Sequence, residues 1–156
     1  MISKSINTIK TLRINLIKMI EGLSTEQFNE IPANFNNNII WNVAHLIAAQ
    51  EAICYIRSGL PTSAEQSFVA TYKPGTRPEG FVNEIEIEKI KTLLLTSVDQ
   101  LANDYDSGLF KQYTAVTTRY GVELTSVEDA IEFLPFHEGF HMGYIAALKR
   151  SIVQTA

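Results

Sequence analysis

Apolar residues at the start of this chain recur every three or four positions: Ile6, Ile9, Leu12, Leu16, Ile20 and Leu23. A stripe with that spacing lies along one side of a helix and has to be covered by other elements. The spacing returns at Ile87, Ile90, Leu94, Val98 and Leu101. It predicts four helices, over about residues 3–22, 39–58, 84–103 and 125–153. Their ends carry the expected signals. Gly22 stands near the end of the first helix as its terminator, and Gly59 and Pro61 follow the second. Glu84, Glu86 and Glu88 sit at the positive end of the third helix dipole. Thr125 with Glu128, or Ser126 with Asp129, makes a capping pair for the fourth. Pro135 falls inside that last segment and predicts a kink or a division there.

Helices of about 20 residues are about 30 Å long. Four of them give an all-α fold: an antiparallel-type four-helix bundle, in one domain over residues 1–156, with long connections. The connection 24–38 holds Pro32 and the run Asn36-Asn37-Asn38, and reads as a loop ending in an N-cap. The connection 60–83 carries Pro61, Pro74, Gly75, Pro78 and Gly80. So long a stretch is expected to lid or line a site. Between Gly108 and Gly121 the string 113–120 is β-prone, and the region reads as a long connection with room for a short hairpin near 113–121.

Lys plus Arg is 13 and Asp plus Glu is 17, a net charge of −4, which argues against a nucleic-acid surface. One cysteine excludes an internal disulfide and a cysteine-based zinc cluster, and fits a reducing cytosol. Lys10, Arg13 and Lys18 interrupt any export or membrane-spanning run near the start. The expectation is a cytoplasmic protein without membrane or nucleic-acid partners.

The chain has three histidines. His137 and His141 are four residues apart, so a helix places both rings on one face, which also carries Leu134, Tyr144, Ile145 and Leu148. His45 shares the inner face of the second helix with Trp41, Ala48, Ala49 and Ala52. Three imidazoles on two inward faces suit a metal site with an open position for water or substrate. The plainer reading is three histidines packed in the core.

His137-Glu138-x-x-His141 also fits the H-E-x-x-H helix of metallopeptidases. Those families supply a third ligand downstream, and Met142 onward contains no His, Asp, Glu or Cys. A metallohydrolase therefore ranks third. Glu138 reads as an acid/base group, as a partner for an imidazole, or as a solvated charge. Gln50 and Glu51 read as solvated helix face, with the pocket rim as the alternative. Cys54 reads as a buried small hydrophobe, since no cation adjoins it. Arg57, Lys73, Arg77 and Arg119 are candidate holders of an anionic substrate, though each alone is usually a surface charge. No phosphate-binding glycine loop or G-x-S-x-G is present.

Trp41-Asn42-Val43-Ala44-His45-Leu46 and Phe133-Leu134-Pro135-Phe136-His137-Glu138-Gly139-Phe140-His141-Met142-Gly143 together resemble the DinB-like (DNA-damage-inducible B) superfamily of metal-binding four-helix bundles. The loop Thr117-Thr118-Arg119-Tyr120-Gly121 is similar too, and the resemblance covers essentially the whole chain. It implies a metal triad of His45, His137 and His141. Tyr144 stands where the family commonly has Gln, so the substrate class of its better-known members does not carry over. The resemblance also implies homodimers and, in some members, transfer or isomerisation dependent on a small thiol such as bacillithiol or mycothiol.

Three neutral imidazoles suit Zn, Ni, Cu or Fe better than Mg or Ca. The expected function is a metal-dependent enzyme on a small-molecule substrate, with a thiol-using S-transferase first. A non-catalytic structural or metal-binding bundle is the alternative.

Overall fold

The helix Ile39–Gln50 is buried along its whole length, all 12 residues of it, and the other elements pack around it. The computed structural model describes residues 1–155, with side-chain surroundings given through Val153. In chain order the elements are α1 (Ile2–Met19), α2 (Thr25–Asn29), α3 (Ile39–Gln50), α4 (Gln66–Tyr72), α5 (Glu84–Asp106), β1 (Val116–Thr117), β2 (Glu123–Leu124) and α6 (Val127–Thr155). α3 runs on through a π-helical turn, Glu51–Tyr55, and a 3-10 turn, Ile56–Ser58. Gly59 then ends it with φ 69°, a left-handed conformation that glycine adopts without strain.

The long helices start at side-chain caps. Asn38 Oδ1 accepts from Trp41 N at 2.9 Å to open α3, and Asn83 Oδ1 accepts from Glu86 N at 2.9 Å to open α5. At α6 the operative pair is Ser126 with Asp129: Ser126 Oγ accepts from Asp129 N at 3.1 Å. α1 packs on α5 and α6, and α3 packs on the same two helices. The fold is an all-α bundle, as the stripes predict. Ile87, Ile90, Leu94, Val98 and Leu101 are all buried, and truncating one of the isoleucines or leucines to alanine costs about 2–5 kcal/mol.

Six α-helices are present among the described residues, two more than the apolar stripes predict. α2 and α4 span 5 and 7 residues, too short to display a full stripe. α2 is held by a capping box, in which Ser24 Oγ accepts from Gln27 N and Gln27 Oε1 accepts from Ser24 N. Pro135 does not divide α6. Ile131 and Leu134 before it, and Ile145 and Leu148 after it, are all buried, so packing holds the axis on both sides.

The short hairpin exists slightly later than expected, with Val116 opposite Leu124 and Thr117 opposite Glu123. Thr118 N donates to Val122 O at 2.8 Å to close its loop, and Gly121 takes φ 79° there. Residues Ile39–Ser58 are long and apolar enough to cross a membrane, but 83% of an 18-residue window within them is buried by the protein itself. A core helix accounts for it.

Candidate metal centre

α3 and α6 pack side by side and bring the three histidines together. One nitrogen from each of His45, His137 and His141 lies within 4.8 Å of the other two. Their ring centroids are 5.2 Å apart for His45 and His137, 4.7 Å for His45 and His141, and 4.5 Å for His137 and His141. All three side chains are buried.

The surroundings fix which nitrogen two of the rings present. His45 Nδ1 donates to the Tyr72 carbonyl at 2.7 Å, because a carbonyl can only accept. His141 Nδ1 donates to Asn42 Oδ1 at 2.9 Å. The orientation of that amide follows from its other end, where Asn42 Nδ2 donates to Asn37 Oδ1 and to the Asn38 carbonyl. Both rings are thus left with a free Nε2 lone pair. Among the described residues His137 Nδ1 is buried with no hydrogen-bond partner. A buried polar nitrogen without a partner, beside two imidazoles already oriented through their far nitrogens, is what a metal ion would satisfy.

The charge state agrees with that donor set. Burial pushes the His137 pKa down to about 2, helped by His141, His45 and Arg13. Burial, then His45 and Arg119, push His141 down to about 3. Burial also lowers His45, although its bond to Tyr72 works the other way. All three are neutral at pH 7, the ligating form.

The connection 60–83 lines this site. It supplies the Tyr72 carbonyl, and Thr76 Oγ1 accepts from Trp41 Nε1 at 3.2 Å. Trp41 in turn stacks on His45, with centroids 4.7 Å apart and planes 10° from parallel. Asn42 stands in the string 41–46, but the histidine spacing gives no role to it or to the Tyr72 carbonyl. Asn42 was findable, since it precedes His45 by one helical turn. A backbone carbonyl leaves no residue-type signal.

The other candidates fall into distinct places. Glu138 is fully buried and not a solvated charge; its Oε1 takes Arg13 Nη2 at 2.7 Å and Arg13 Nε at 3.0 Å. Among the described residues no hydrogen bond joins it to a histidine. Gln50 and Glu51 are also fully buried, because α3 is enclosed on every side and the π turn brings Glu51 against the following connection. Glu51 accepts from Ser63 N at 2.8 Å and Ser63 Oγ at 2.5 Å. Gln50 Nε2 donates to the Ser97 carbonyl at 3.0 Å.

Cys54 is buried and unpaired, and its thiol pKa is raised by burial. Tyr144 packs edge-on against Phe35 at 5.6 Å. Arg57 acts on Tyr113, while Lys73 and Arg77 are exposed. Arg119, on the hairpin, is the cation whose charge acts on His45 and His141.

The family model described as the DinB superfamily matches residues 8–145 of the chain. No curated protein matches it.

Proposed function

This chain belongs to the DinB superfamily, and on that footing we propose that it is a metal-dependent enzyme acting on a small molecule, with His45, His137 and His141 as the metal ligands. One observation carries the reading: three buried, neutral imidazoles converge to within 4.8 Å, two of them oriented by partners behind the ring. Zinc and nickel suit the donor set best, with iron next. We put thiol-dependent S-transfer first among the reactions.

A divalent ion held there supplies Lewis acidity that lowers the pKa of a bound thiol or water. The protein's own groups do the rest. Asn42 and the Tyr72 carbonyl hold two rings in the ligating tautomer, and Trp41 covers one face of His45. Arg119 offers a positive charge to an anionic part of the substrate. Elemental analysis of protein purified without a histidine tag is expected to find about one ion per chain. His137→Ala is then expected to lose both the metal and the transfer of a small thiol onto an aryl chloride, in which the thiolate displaces chloride. Protein that holds no metal and takes none up on soaking would overturn the reading.

A second reading, a metal-binding or structural bundle without turnover, is favoured by one observation. The carboxylate adjoining the triad in sequence, Glu138, is bound to Arg13 and closed to solvent. The same ion pair argues against the hydrolase reading, which needs that carboxylate as a base. If the bundle is structural, His45→Ala lowers the melting temperature and no thiol-transfer rate exists to change.

A further inference from the structure

Tyr120, Phe133, Phe136 and Phe140 form one run of aromatic rings leading out of the triad. Tyr120, near the hairpin tip, meets Phe136 at 5.1 Å and Phe140 at 5.6 Å between centroids. Phe140 reaches inward edge-on to His141 at 5.3 Å, and Phe133 stands 6.3 Å from His137. Outward, the rings face solvent: Tyr120 is 37% exposed, Phe136 51% and Phe140 48%. Large aromatics in that condition cost free energy unless something covers them.

Arg119 precedes Tyr120 in the loop between β1 and β2. It is exposed, makes no ion pair among the described residues, and its charge acts on His45 and His141. The closed loop 118–122 holds Arg119 and Tyr120 together. A cleft of about 590 Å³ leads from Tyr120 along Phe133 and Phe136 past Glu123, Asp129 and Glu132, and neither Phe140, Arg119 nor any of the three histidines lines it. The carboxylates thus lie on the cleft, and Arg119, whose charge is felt at His45 and His141, lies outside it.

We propose that this wall is the substrate subsite, taking a small molecule with an aromatic or apolar body and an anionic group. The body lies against Tyr120, Phe136 and Phe140, and the anion lies on Arg119 next to the histidines. The area involved favours a small molecule over a second protein. Three half-exposed rings offer on the order of 300 Å², against about 800 Å² per partner in a stable protein interface. An anion held on Arg119, whose charge is felt at His45 and His141, would hold the rest of the molecule near the triad. The inference rests on the metal-enzyme reading for its reaction, though not for its binding.

Calorimetric titration of the metal-free and the zinc-loaded chain with 3-phenylpropionate, its neutral amide and propionate tests the subsite. The aryl acid is expected to bind at least tenfold more tightly than either of the other two. Arg119→Gln should bring the acid down to the amide's affinity and leave the amide unchanged. Phe136→Ala and Phe140→Ala should weaken the acid at least tenfold. These side chains are at the surface, so zinc content and melting temperature should hold in all three variants.

Absence of saturable binding, or equal affinity in wild type and variants, overturns the proposal. So does sedimentation showing a wild-type dimer that Phe136→Ala or Phe140→Ala dissociates. The two readings fail separately. A chain that takes no zinc but binds the acid through Arg119 supports the subsite and sinks the metal enzyme. One that takes zinc but ignores the acid does the reverse.

Discussion

Arg13 and Glu138 form an ion pair closed to solvent, with Arg13 Nη2 standing 2.7 Å and Nε 3.0 Å from the same oxygen of Glu138. The other donors of the guanidinium reach the Leu94 carbonyl and Ser97 Oγ, each at 3.0 Å, and the Leu46 carbonyl at 3.4 Å. One side chain from α1 thereby touches α3, α5 and α6. The pair is under-satisfied, since Glu138 Oε2 has no hydrogen-bond partner among the described residues. Arg13→Met strands a buried carboxylate and is expected to cost about 3–5 kcal/mol. Arg13→Met with Glu138→Leu removes both charges and should restore most of that loss. Urea midpoints of the three proteins check it, and a double variant as unstable as the single one would refute the account.

Asn42 carries the second prediction. Its Oδ1 holds His141 Nδ1 at 2.9 Å, while its amide nitrogen is tied to Asn37 and Asn38 at the α3 cap. Removing a partner of this kind typically costs 10–100-fold in metal affinity. Asn42→Ala should therefore weaken zinc by about that factor in competition with a chelating dye. Its effect on stability should stay near 1–3 kcal/mol, the cost of an unmade buried hydrogen bond.

What was legible in the sequence and what was not divide at Arg13. The stripe of α1 reads equally well as Ile6, Ile9, Leu12, Leu16, Ile20 or as Ile6, Ile9, Arg13, Leu16, Ile20, and a charge is normally assigned to the wet face. The structure buries the second set. Its partner lies 125 positions away, beyond the reach of any local pattern. The triad was legible because i and i+4 on a helix share a face, and because scarce histidines all fell on apolar segments. Gln50 and Glu51 misled for the opposite reason. Periodicity assumes one buried face, whereas α3 has none exposed and ends in a π turn that shifts the register. Short α4 escaped the pattern, yet it delivers the carbonyl that orients His45.

The depressed histidine pKa values make acid sensitivity a property of the metal-free fold. In the unfolded chain each histidine takes a proton near pH 6.5, whereas His137 waits until about 2 and His141 until about 3. Below pH 6.5 the unfolded state binds more protons, so stability falls as pH falls. The slope approaches about 1.4 kcal/mol per pH unit for each histidine still neutral in the fold. Glu51 works against it, because burial raises its carboxyl pKa and the fold takes up that proton first. Denaturant unfolding of metal-free protein between pH 7 and 5 should show the loss. His141→Gln should flatten it by one histidine's share, and an unchanged slope would contradict the assignment.

Trp41 reports on the site directly. It is the chain's one tryptophan, and its indole lies 4.7 Å from the His45 ring at 10° to it. Whatever changes the electronic state of that imidazole changes what the excited indole stacks against. Zinc or nickel titrated into metal-free protein should alter tryptophan emission saturably at one equivalent, with nickel quenching more strongly because its d shell is open. His45→Ala should abolish the response. Asn42→Ala should keep its amplitude but move its midpoint by the 10–100-fold expected for a ring that has lost its orienting partner. Emission that ignores the metal while elemental analysis finds it bound would place the ion away from His45 and break the triad.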